Sequence, residues 1–228
     1  MRGDRIMEQK RGKFVVFEGM DGCGKGRTIE IVQARLPIEL PDEKFIFTIE
    51  PGGTEVGNEI RAILQNIRDQ DMSVVTDILL FLASRTEHLD KKIVPYLDAG
   101  INVGCDRYEA STHAFQIHGR DHQKYATLLA ELNKLLKILK PDLYILLDQE
   151  PEISRQRANQ GRAESKSRFD VKPLDFYVRV RKAYLDFMSK CNSRIVYVGP
   201  TKTPEQVADE VMVHLKEFFG KKPSRDVL

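Results

Sequence analysis

The sequence has few cysteines and almost no net charge. Its three cysteines, Cys23, Cys105 and Cys191, are odd in number and widely spaced, so the sequence predicts neither a disulfide framework nor a paired-cysteine metal site. Lys and Arg number 36 and Asp and Glu number 34, which gives a formal net charge of +2. A domain dedicated to nucleic acid usually carries a clear basic excess. We therefore expect no nucleic-acid partner and a reducing, cytoplasmic location.

Long apolar runs are also absent. No stretch approaches the roughly 18 residues that a membrane-spanning helix needs, and the basic segment 1–12 is not followed by the apolar core of a secretory signal. With 41% hydrophobic and 31% charged residues, the composition is typical of a soluble globular protein. We expect no membrane partner and a short N-terminal leader over 1–12.

What the sequence does contain is a regular alternation of short apolar runs and amphipathic stretches. The apolar runs have the length and residue content of buried strands, and they fall at 14–17, 45–47, 101–105, 143–147 and 195–198. Helical spacing recurs over roughly 25–36, 54–67, 74–98, 122–139, 151–160, 174–190 and 204–219. This alternation predicts the α/β class, with a mostly parallel sheet and helices on both faces. We expect one domain over 13–219, a basic surface loop at 159–172 and a C-terminal tail over 220–228.

A phosphate-binding motif follows the first apolar run. Residues 19–25 read G-x-x-x-x-G-K at the junction of a predicted strand and a predicted helix, which is the context that this motif requires. Backbone N–H groups of such a loop turn towards a phosphate, the helix N-terminus adds positive potential, and Lys25 reaches the outer phosphates. The predicted ATP-binding residues are Gly19, Met20, Asp21, Gly22, Cys23, Gly24, Lys25, Gly26, Arg27 and Thr28.

The motif departs from its usual form at one residue. The position after the lysine is normally Ser or Thr, whose hydroxyl binds Mg²⁺, but here it is Gly26. Thr28 lies two helical steps further on, about 200° around the helix axis, and therefore points away from the site. We expect Mg²⁺ to be held by the phosphates, by water and by a carboxylate, for which Asp106 is the candidate.

The segment 17–25 resembles the opening of thymidylate kinases. Other segments resemble the same family in the same order over about residues 13–215, including Glu-Pro-Gly-Gly-Thr at 50–54, Phe-Leu-Ala-Ser-Arg at 81–85, Asp-Arg-Tyr at 106–108 and Arg-Phe-Asp at 168–170. The resemblance implies a three-layer P-loop kinase fold with a five-stranded parallel sheet and a lid at about 158–172. It also implies transfer of the γ-phosphate of ATP to dTMP, with Mg²⁺, to give dTDP and ADP for dTTP biosynthesis, in a homodimer.

The substrate-binding residues of the family can be matched to this sequence one position at a time. Asp21 resembles the carboxylate that binds the deoxyribose 3′-OH, and Arg107 resembles the arginine that clamps the acceptor phosphate, a task suited to a bidentate guanidinium. Asp106 and Arg107 end a predicted strand, where the ligands of open α/β sheets bind. The resemblance further implies thymine contacts for Phe81, Arg85, Ser111 and Gln116, a sugar contact for Phe115, and places near the acceptor for Glu50 and Arg61.

Phosphoryl transfer requires cations that neutralise the charge of the transferred group. Lys25 and Arg107 are two of the catalytic residues that the resemblance implies, and the third is an arginine of the lid, because Gly22 stands where some members of the family have Arg. The candidates for the lid arginine are Arg157, Arg162 and Arg168, of which we favour Arg162.

Two departures from the family pattern leave other functions open. Ile49 stands where the family often has Arg, which leaves open a kinase for another deoxynucleotide, such as dUMP or a modified pyrimidine. Gly26 leaves open a non-catalytic nucleotide-binding relative. An assay of ADP formation against a panel of nucleoside monophosphates separates these three hypotheses.

Overall fold

The computed structural model describes residues 10–66, 70, 72–160 and 172–221, built around one parallel sheet. Its strands are β1 (Phe14–Gly19), β2 (Phe45–Ile49), β3 (Asn102–Asp106), β4 (Leu143–Asp148) and β5 (Ser193–Tyr197), in the spatial order β2-β3-β1-β4-β5. Strands β1 and β4 are buried along their whole length, as expected for apolar runs in a sheet covered on both faces. The predicted α/β class and parallel sheet are confirmed.

Helices fill the connections between the strands. In chain order they are α1 (Lys25–Glu39), α2 (Glu55–Gln65), α3 (Val74–His88), α4 (Val94–Asp98), α5 (Glu109–Ser111), α6 (Ala126–Leu135), α7 (Pro151–Gln160), α8 (Leu174–Met188) and α9 (Pro204–Phe218). A π-helical turn (Leu89–Ile93) joins α3 to α4, a second π-helical segment (Thr112–Gly119) continues α5, and a 3-10 turn (Gln123–Tyr125) precedes α6. Within the ranges described, no helix has the length and apolar character needed to cross a membrane.

The two faces of the sheet follow directly from the alternation of side chains along β1. Phe14 and Val16 belong to a core cluster with α4, the π-helical segments and α8, whereas Val15 and Phe17 belong to a second cluster with α1 and α9. Because successive strand residues point to opposite faces, one apolar strand supplies both layers of core. The result is the three-layer arrangement that the resemblance implies.

The helices differ from the sequence prediction in two places. The segment 109–119 is helical although its apolar spacing does not predict a helix, because most of its residues are buried and it has no polar face to give an amphipathic period. The helix predicted over 122–139 ends at Leu135, and Lys137 takes a left-handed φ of 50°. Three predicted segments lie wholly or mostly outside the described residues: the leader, the tail and 161–171 of the basic loop.

The π-helical segment after α5 contains a histidine whose pKa should make stability depend on pH. Burial, and then the neighbouring His118, lower the pKa of His113 to about 4 from its ordinary 6.5. The unfolded chain therefore binds more protons than the folded chain between these values, so stability is lost as the pH falls from 6.5 towards 4. We expect His113→Leu to reduce this loss by at most about 3 kcal/mol, measured by urea unfolding at pH 7 and pH 4.5.

A control is available on the same π-helical segment. Ile117→Ala removes buried side-chain volume but no titratable group, so it should lower stability by a similar amount at both pH values. Equal slopes of stability against pH in the parent and in His113→Leu would contradict the assignment to His113.

Candidate active site

The phosphate-binding motif forms the turn between β1 and α1. Gly22 and Gly24 have φ values of 82° and 85°, a left-handed conformation that glycine adopts without strain. Gly24 is the N-cap of α1 and offers no side chain to cap the first N–H groups of that helix. Uncapped N–H groups at a helix N-terminus form a binding site for an anion such as a phosphate.

Two glycines of this loop differ in the space around them. A Cβ atom at Gly22 would overlap the carbonyl oxygen of Ser154 and lie 2.9 Å from the backbone N of Ala158, so α7 packs directly against the loop. This contact explains why residue 22 is glycine here. Among the residues that the structure describes, a Cβ atom at Gly26 would meet nothing within 4 Å, so that position can accept a side chain.

Lys25 and Asp106 form an ion pair at the carboxyl ends of β1 and β3, which are neighbours in the sheet. Burial raises the pKa of Asp106, but the positive charges of Lys25, Arg107 and Arg61 together lower it by more. The pKa is therefore below its usual value, and the carboxyl group is ionised. Arg61 approaches from α2 and its Nη1 donates to the carbonyl of Pro51 at 2.7 Å. Three cations therefore surround one carboxylate at this end of the sheet.

Arg107 connects the end of β3 to the phosphate-binding loop. Its Nη1 donates to the carbonyl of Gly19 at 2.9 Å, and its Nη2 donates to Asp21 Oδ1 at 2.6 Å. The guanidinium carbon lies 5.0 Å from the centre of the Phe115 ring, within the range of a cation–π contact. Burial alone would lower the pKa of Arg107, but Asp21 and other neighbours raise it above its ordinary value, so the group stays charged.

A fully buried carboxylate holds the segment that follows Arg107. Glu18 accepts hydrogen bonds from the backbone N–H of Tyr108 at 2.9 Å and of Ser111 at 3.2 Å, and from the hydroxyls of Ser111 at 2.6 Å and Tyr184 at 3.0 Å. Arg107 Nη1 reaches the same two hydroxyls at 3.1 and 3.2 Å. Burial raises the pKa of Glu18 in spite of these donors. The network orients Arg107 through two hydroxyl groups.

Arg85 belongs to a second buried cluster beside the loop after β2. The residue is only 1% exposed, and its Nε donates to Glu50 Oε2 at 2.8 Å while its Nη2 donates to Thr112 Oγ1 at 2.9 Å. Glu50 also contacts His88 Nδ1 at 3.1 Å, and the other ring nitrogen of His88 contacts Thr48 at 2.7 Å. Arg85 Nη1 is buried and has no hydrogen-bond partner among the residues described, so one donor remains available.

The other predicted base and sugar residues are buried around these clusters. Phe81 and Gln116 are buried on α3 and on the π-helical segment after α5, and the Phe115 ring makes edge contacts with Phe176 and Tyr184. Ser111 and Phe115 contact Arg107 directly, and Arg85 is joined to the same segment through Thr112.

The remaining predicted residues are placed less centrally. Arg27 is exposed and pairs with Glu30 at 3.0 Å. The hydroxyl of Thr28 donates back to the carbonyl of Gly24 at 3.3 Å, so it does not replace the hydroxyl that Gly26 lacks. Arg157 is exposed near the end of α7. The favoured lid candidate Arg162 and the alternative Arg168 lie outside the described residues.

Several residues of the site have no role in the sequence prediction. Glu18 and Tyr184 hold the segment after β3, and His88 and Thr112 hold Glu50 and Arg85. One of them carries a signal in the sequence: Glu18 is an acidic residue directly after the apolar run 14–17, and a buried carboxylate needs several donors. The other three have no such signal, because their partners are distant in the chain.

The comparisons with known proteins point to one family. A family model described as "Thymidylate kinase" matches residues 17–211. The thymidylate kinase of Ligilactobacillus salivarius is 35% identical over 91% of this chain and 99% of its own, and that of Maridesulfovibrio salexigens is 35% identical over 90% and 95%. A crystal structure of thymidylate kinase from Ehrlichia chaffeensis superposes with a TM-score of 0.68 at 26% identity, over 90% of this chain and 99% of that one. The chain therefore belongs to the thymidylate kinase family of ATP-dependent phosphotransferases.

Proposed function

We propose that this protein transfers the γ-phosphate of ATP to dTMP, giving dTDP and ADP. Membership of the thymidylate kinase family supports the reaction. The observation that carries the proposal is the position of Arg107. Its guanidinium donates hydrogen bonds to the carbonyl of Gly19 and to the carboxylate of Asp21, both in the phosphate-binding loop. A cation for the acceptor phosphate thus lies directly against the loop that binds the donor phosphates.

In the proposed reaction an oxygen of the dTMP phosphate attacks the γ-phosphorus of ATP. The bond between the γ-phosphorus and the bridging oxygen breaks, and ADP leaves with the electron pair of that bond. The acceptor phosphate is already anionic at neutral pH, so no side chain has to remove a proton. Lys25 and Arg107 act by positioning the two nucleotides and by neutralising charge on the transferred group, which is how proteins accelerate phosphoryl transfer.

Asp106 fits the role of a carboxylate that holds Mg²⁺ together with the phosphates. Proteins usually bind Mg²⁺ through one or two carboxylates, water and substrate phosphates, and the lowered pKa keeps Asp106 ionised. Bound Mg²⁺ supplies positive charge that offsets the negative charge of the phosphates. Lys25, which pairs with Asp106, is free to bind a phosphate once another cation takes its place.

Gly26→Ser tests the effect of the missing hydroxyl. Because the position has open space, the serine fits, and we expect it to lower the Mg²⁺ concentration for half-maximal ADP formation. The reason is that a serine hydroxyl at this point of the motif binds the metal, and one such polar contact is worth roughly 1 kcal/mol, or about fivefold.

Gly26→Ala is the matched control, since it adds a side chain and raises helix propensity without adding a ligand. It should leave the Mg²⁺ dependence as in the parent. A serine variant with the same Mg²⁺ dependence as the alanine variant would mean that the hydroxyl is irrelevant in this loop.

The base is held on the side of Arg85. Its Nη1 is a buried N–H donor with no partner among the described residues, and buried donors are almost always satisfied in proteins. A carbonyl of thymine supplies the missing acceptor, with the Phe81 ring, Gln116 and Ser111 as further contacts of the base and Phe115 beside the sugar. Glu50 positions Arg85 through the hydrogen bond to Nε, Asp21 accepts the 3′-OH, and Arg61 lies on the acceptor side.

The choice of acceptor is tested by measuring ADP formation with ATP and Mg²⁺ against dTMP, dUMP, dCMP, dGMP and dAMP. We expect the highest kcat/KM with dTMP. Faster turnover of dUMP would overturn the proposed acceptor, and tight binding of dTMP without ADP formation would overturn the reaction itself.

Replacing Arg162 and Arg168 separately by Ala in the same assay tests the lid arginine. We expect a larger loss of kcat with Arg162→Ala than with Arg168→Ala.

We further propose a homodimer in the cytoplasm. Helices α2 and α3 pack together and expose the apolar side chains of Val56, Ile63 and Leu79, which are 48%, 45% and 49% exposed, and exposed apolar patches favour association. The three cysteines are free thiols, which is typical of a reducing compartment. Sedimentation velocity should give a dimer for the parent and a monomer for Leu79→Glu, whereas a monomeric parent at assay concentration would contradict the dimer.

A further inference from the structure

A groove with no part in the proposed reaction lies between α6 and the segment that leads into β4. Its volume is about 520 Å³, and its lining includes Asn133, Lys134, Lys137, Ile138 and Lys140. That size lies within the range of small-molecule sites. The segment before β4 meets the amino end of the sheet, whereas the phosphate-binding loop follows the carboxyl end of the parallel neighbour β1. Glu109 of α5 also lines the groove, so the groove lies beside α5 and not at the phosphate-binding loop.

The charge of this groove is positive. Lys134, Lys137 and Lys140 all line it, and Lys140 pairs with Glu109 at 2.6 and 2.7 Å. Lys134 and Lys137 are exposed, and neither has a carboxylate within ion-pair distance in the part of the chain that the structure describes. Lys137 is held with a left-handed φ of 50°, which is unfavourable for a lysine. Two uncompensated ammonium groups beside a concave surface suit an anionic ligand.

Asn133 gives a second, independent indication of the ligand's chemistry, because one of its side-chain atoms lacks a hydrogen-bond donor. The side chain lines the groove and is 7% exposed. Its Nδ2 donates to Glu109 Oε1 at 3.2 Å, which fixes the orientation of the amide, since the opposite orientation would place two oxygens together. Asn133 Oδ1 is then a buried acceptor with no donor among the described residues. Such an orphaned acceptor is rare in proteins and calls for a hydrogen-bond donor.

We propose that this groove binds a small phosphorylated molecule that carries a hydroxyl group close to its phosphate. The phosphate lies between Lys134 and Lys137, and the hydroxyl donates to Asn133 Oδ1. Ile138, which is buried in the groove lining, contacts the carbon skeleton. A bare anion without a donor satisfies the lysines and leaves Asn133 unsatisfied, so it binds less tightly.

The test is isothermal titration of the full chain with glycerol 3-phosphate, with ADP and dTMP at saturation to fill the phosphate sites of the active site. We expect one further site per chain, with a Kd of about 1 mM or below. Inorganic phosphate, which can donate a hydrogen bond, should bind more weakly, and sulfate, which cannot at neutral pH, should bind most weakly. Equal affinity for glycerol 3-phosphate and sulfate, or no saturation, would overturn the proposal.

Variants locate the binding. Lys134→Glu combined with Lys137→Glu should weaken glycerol 3-phosphate binding by about tenfold or more, since charge-assisted contacts are the strong ones, and should leave kcat for ADP formation unchanged. Asn133→Leu should weaken glycerol 3-phosphate binding but not sulfate binding. Lys44→Glu combined with Lys91→Glu, at two exposed lysines outside the groove lining, is the matched control. Unchanged affinity in the groove double variant would place the ligand elsewhere and overturn the assignment.

Discussion

Arg107→Lys is expected to lower kcat/KM for dTMP by about 100- to 1,000-fold. The guanidinium uses Nη1 for the carbonyl of Gly19 and Nη2 for Asp21 at the same time, and a single ammonium group cannot reproduce this planar fork. The lysine keeps the charge, so the loss measures geometry and not electrostatics alone. Steady-state ADP formation over a range of dTMP concentrations, at saturating ATP, gives the value.

The matched control is Arg11→Lys, because Arg11 also pairs with a carboxylate, Asp98, at 3.0 Å but lies outside the site. It should leave kcat/KM as in the parent. If kcat/KM for dTMP fell by less than about tenfold in Arg107→Lys, Arg107 would not be the residue that clamps the acceptor phosphate.

The second large effect is expected at Glu18, and it concerns stability as well as activity. Glu18→Gln keeps the shape of the side chain but replaces one accepting oxygen with an NH₂ group, which then faces N–H or O–H donors. We expect the free energy of unfolding to fall by about 2–4 kcal/mol, measured by urea unfolding. Because the hydroxyls of Ser111 and Tyr184 bridge Glu18 to Arg107, kcat should fall in the same variant.

Glu30→Gln serves as the control for this experiment. Glu30 is exposed and pairs with Arg27 at 3.0 Å, and loss of an exposed ion pair changes stability by less than about 1 kcal/mol. If Glu18→Gln unfolded at the same urea concentration as Glu30→Gln, the four hydrogen bonds to Glu18 would not be holding the segment after β3.

The phosphate-binding loop and the sheet could be predicted because their determinants are local. A glycine-rich turn between an apolar strand and a helix specifies its own geometry, and alternation of apolar runs with amphipathic stretches specifies a parallel sheet. The position of Arg107 could be predicted for a related reason, since the ends of parallel strands meet at one edge of the sheet.

The partners within the site could not be predicted, because they join distant parts of the chain. Glu18 and Tyr184 are 166 residues apart in sequence, and Arg85 and Glu50 are 35 apart. Nothing in the local pattern around Tyr184 distinguishes a hydroxyl that bonds a buried carboxylate from an ordinary core aromatic. The helical segment 109–119 could not be predicted for a different physical reason. Because it is buried on most sides, its sequence lacks the alternation of apolar and polar residues that marks an amphipathic helix.

The packing of α7 against Gly22 links two positions that would otherwise evolve independently. The overlap of a Cβ atom with Ser154 means that any larger residue at position 22 requires α7 to stand further from the loop. In relatives with arginine at the equivalent position, this helix must therefore lie further from the loop. The helix leads into the segment proposed as the lid. Residue 22 and the inner face of α7 should thus vary together among relatives, and an arginine grafted at position 22 alone should fail unless α7 is changed with it.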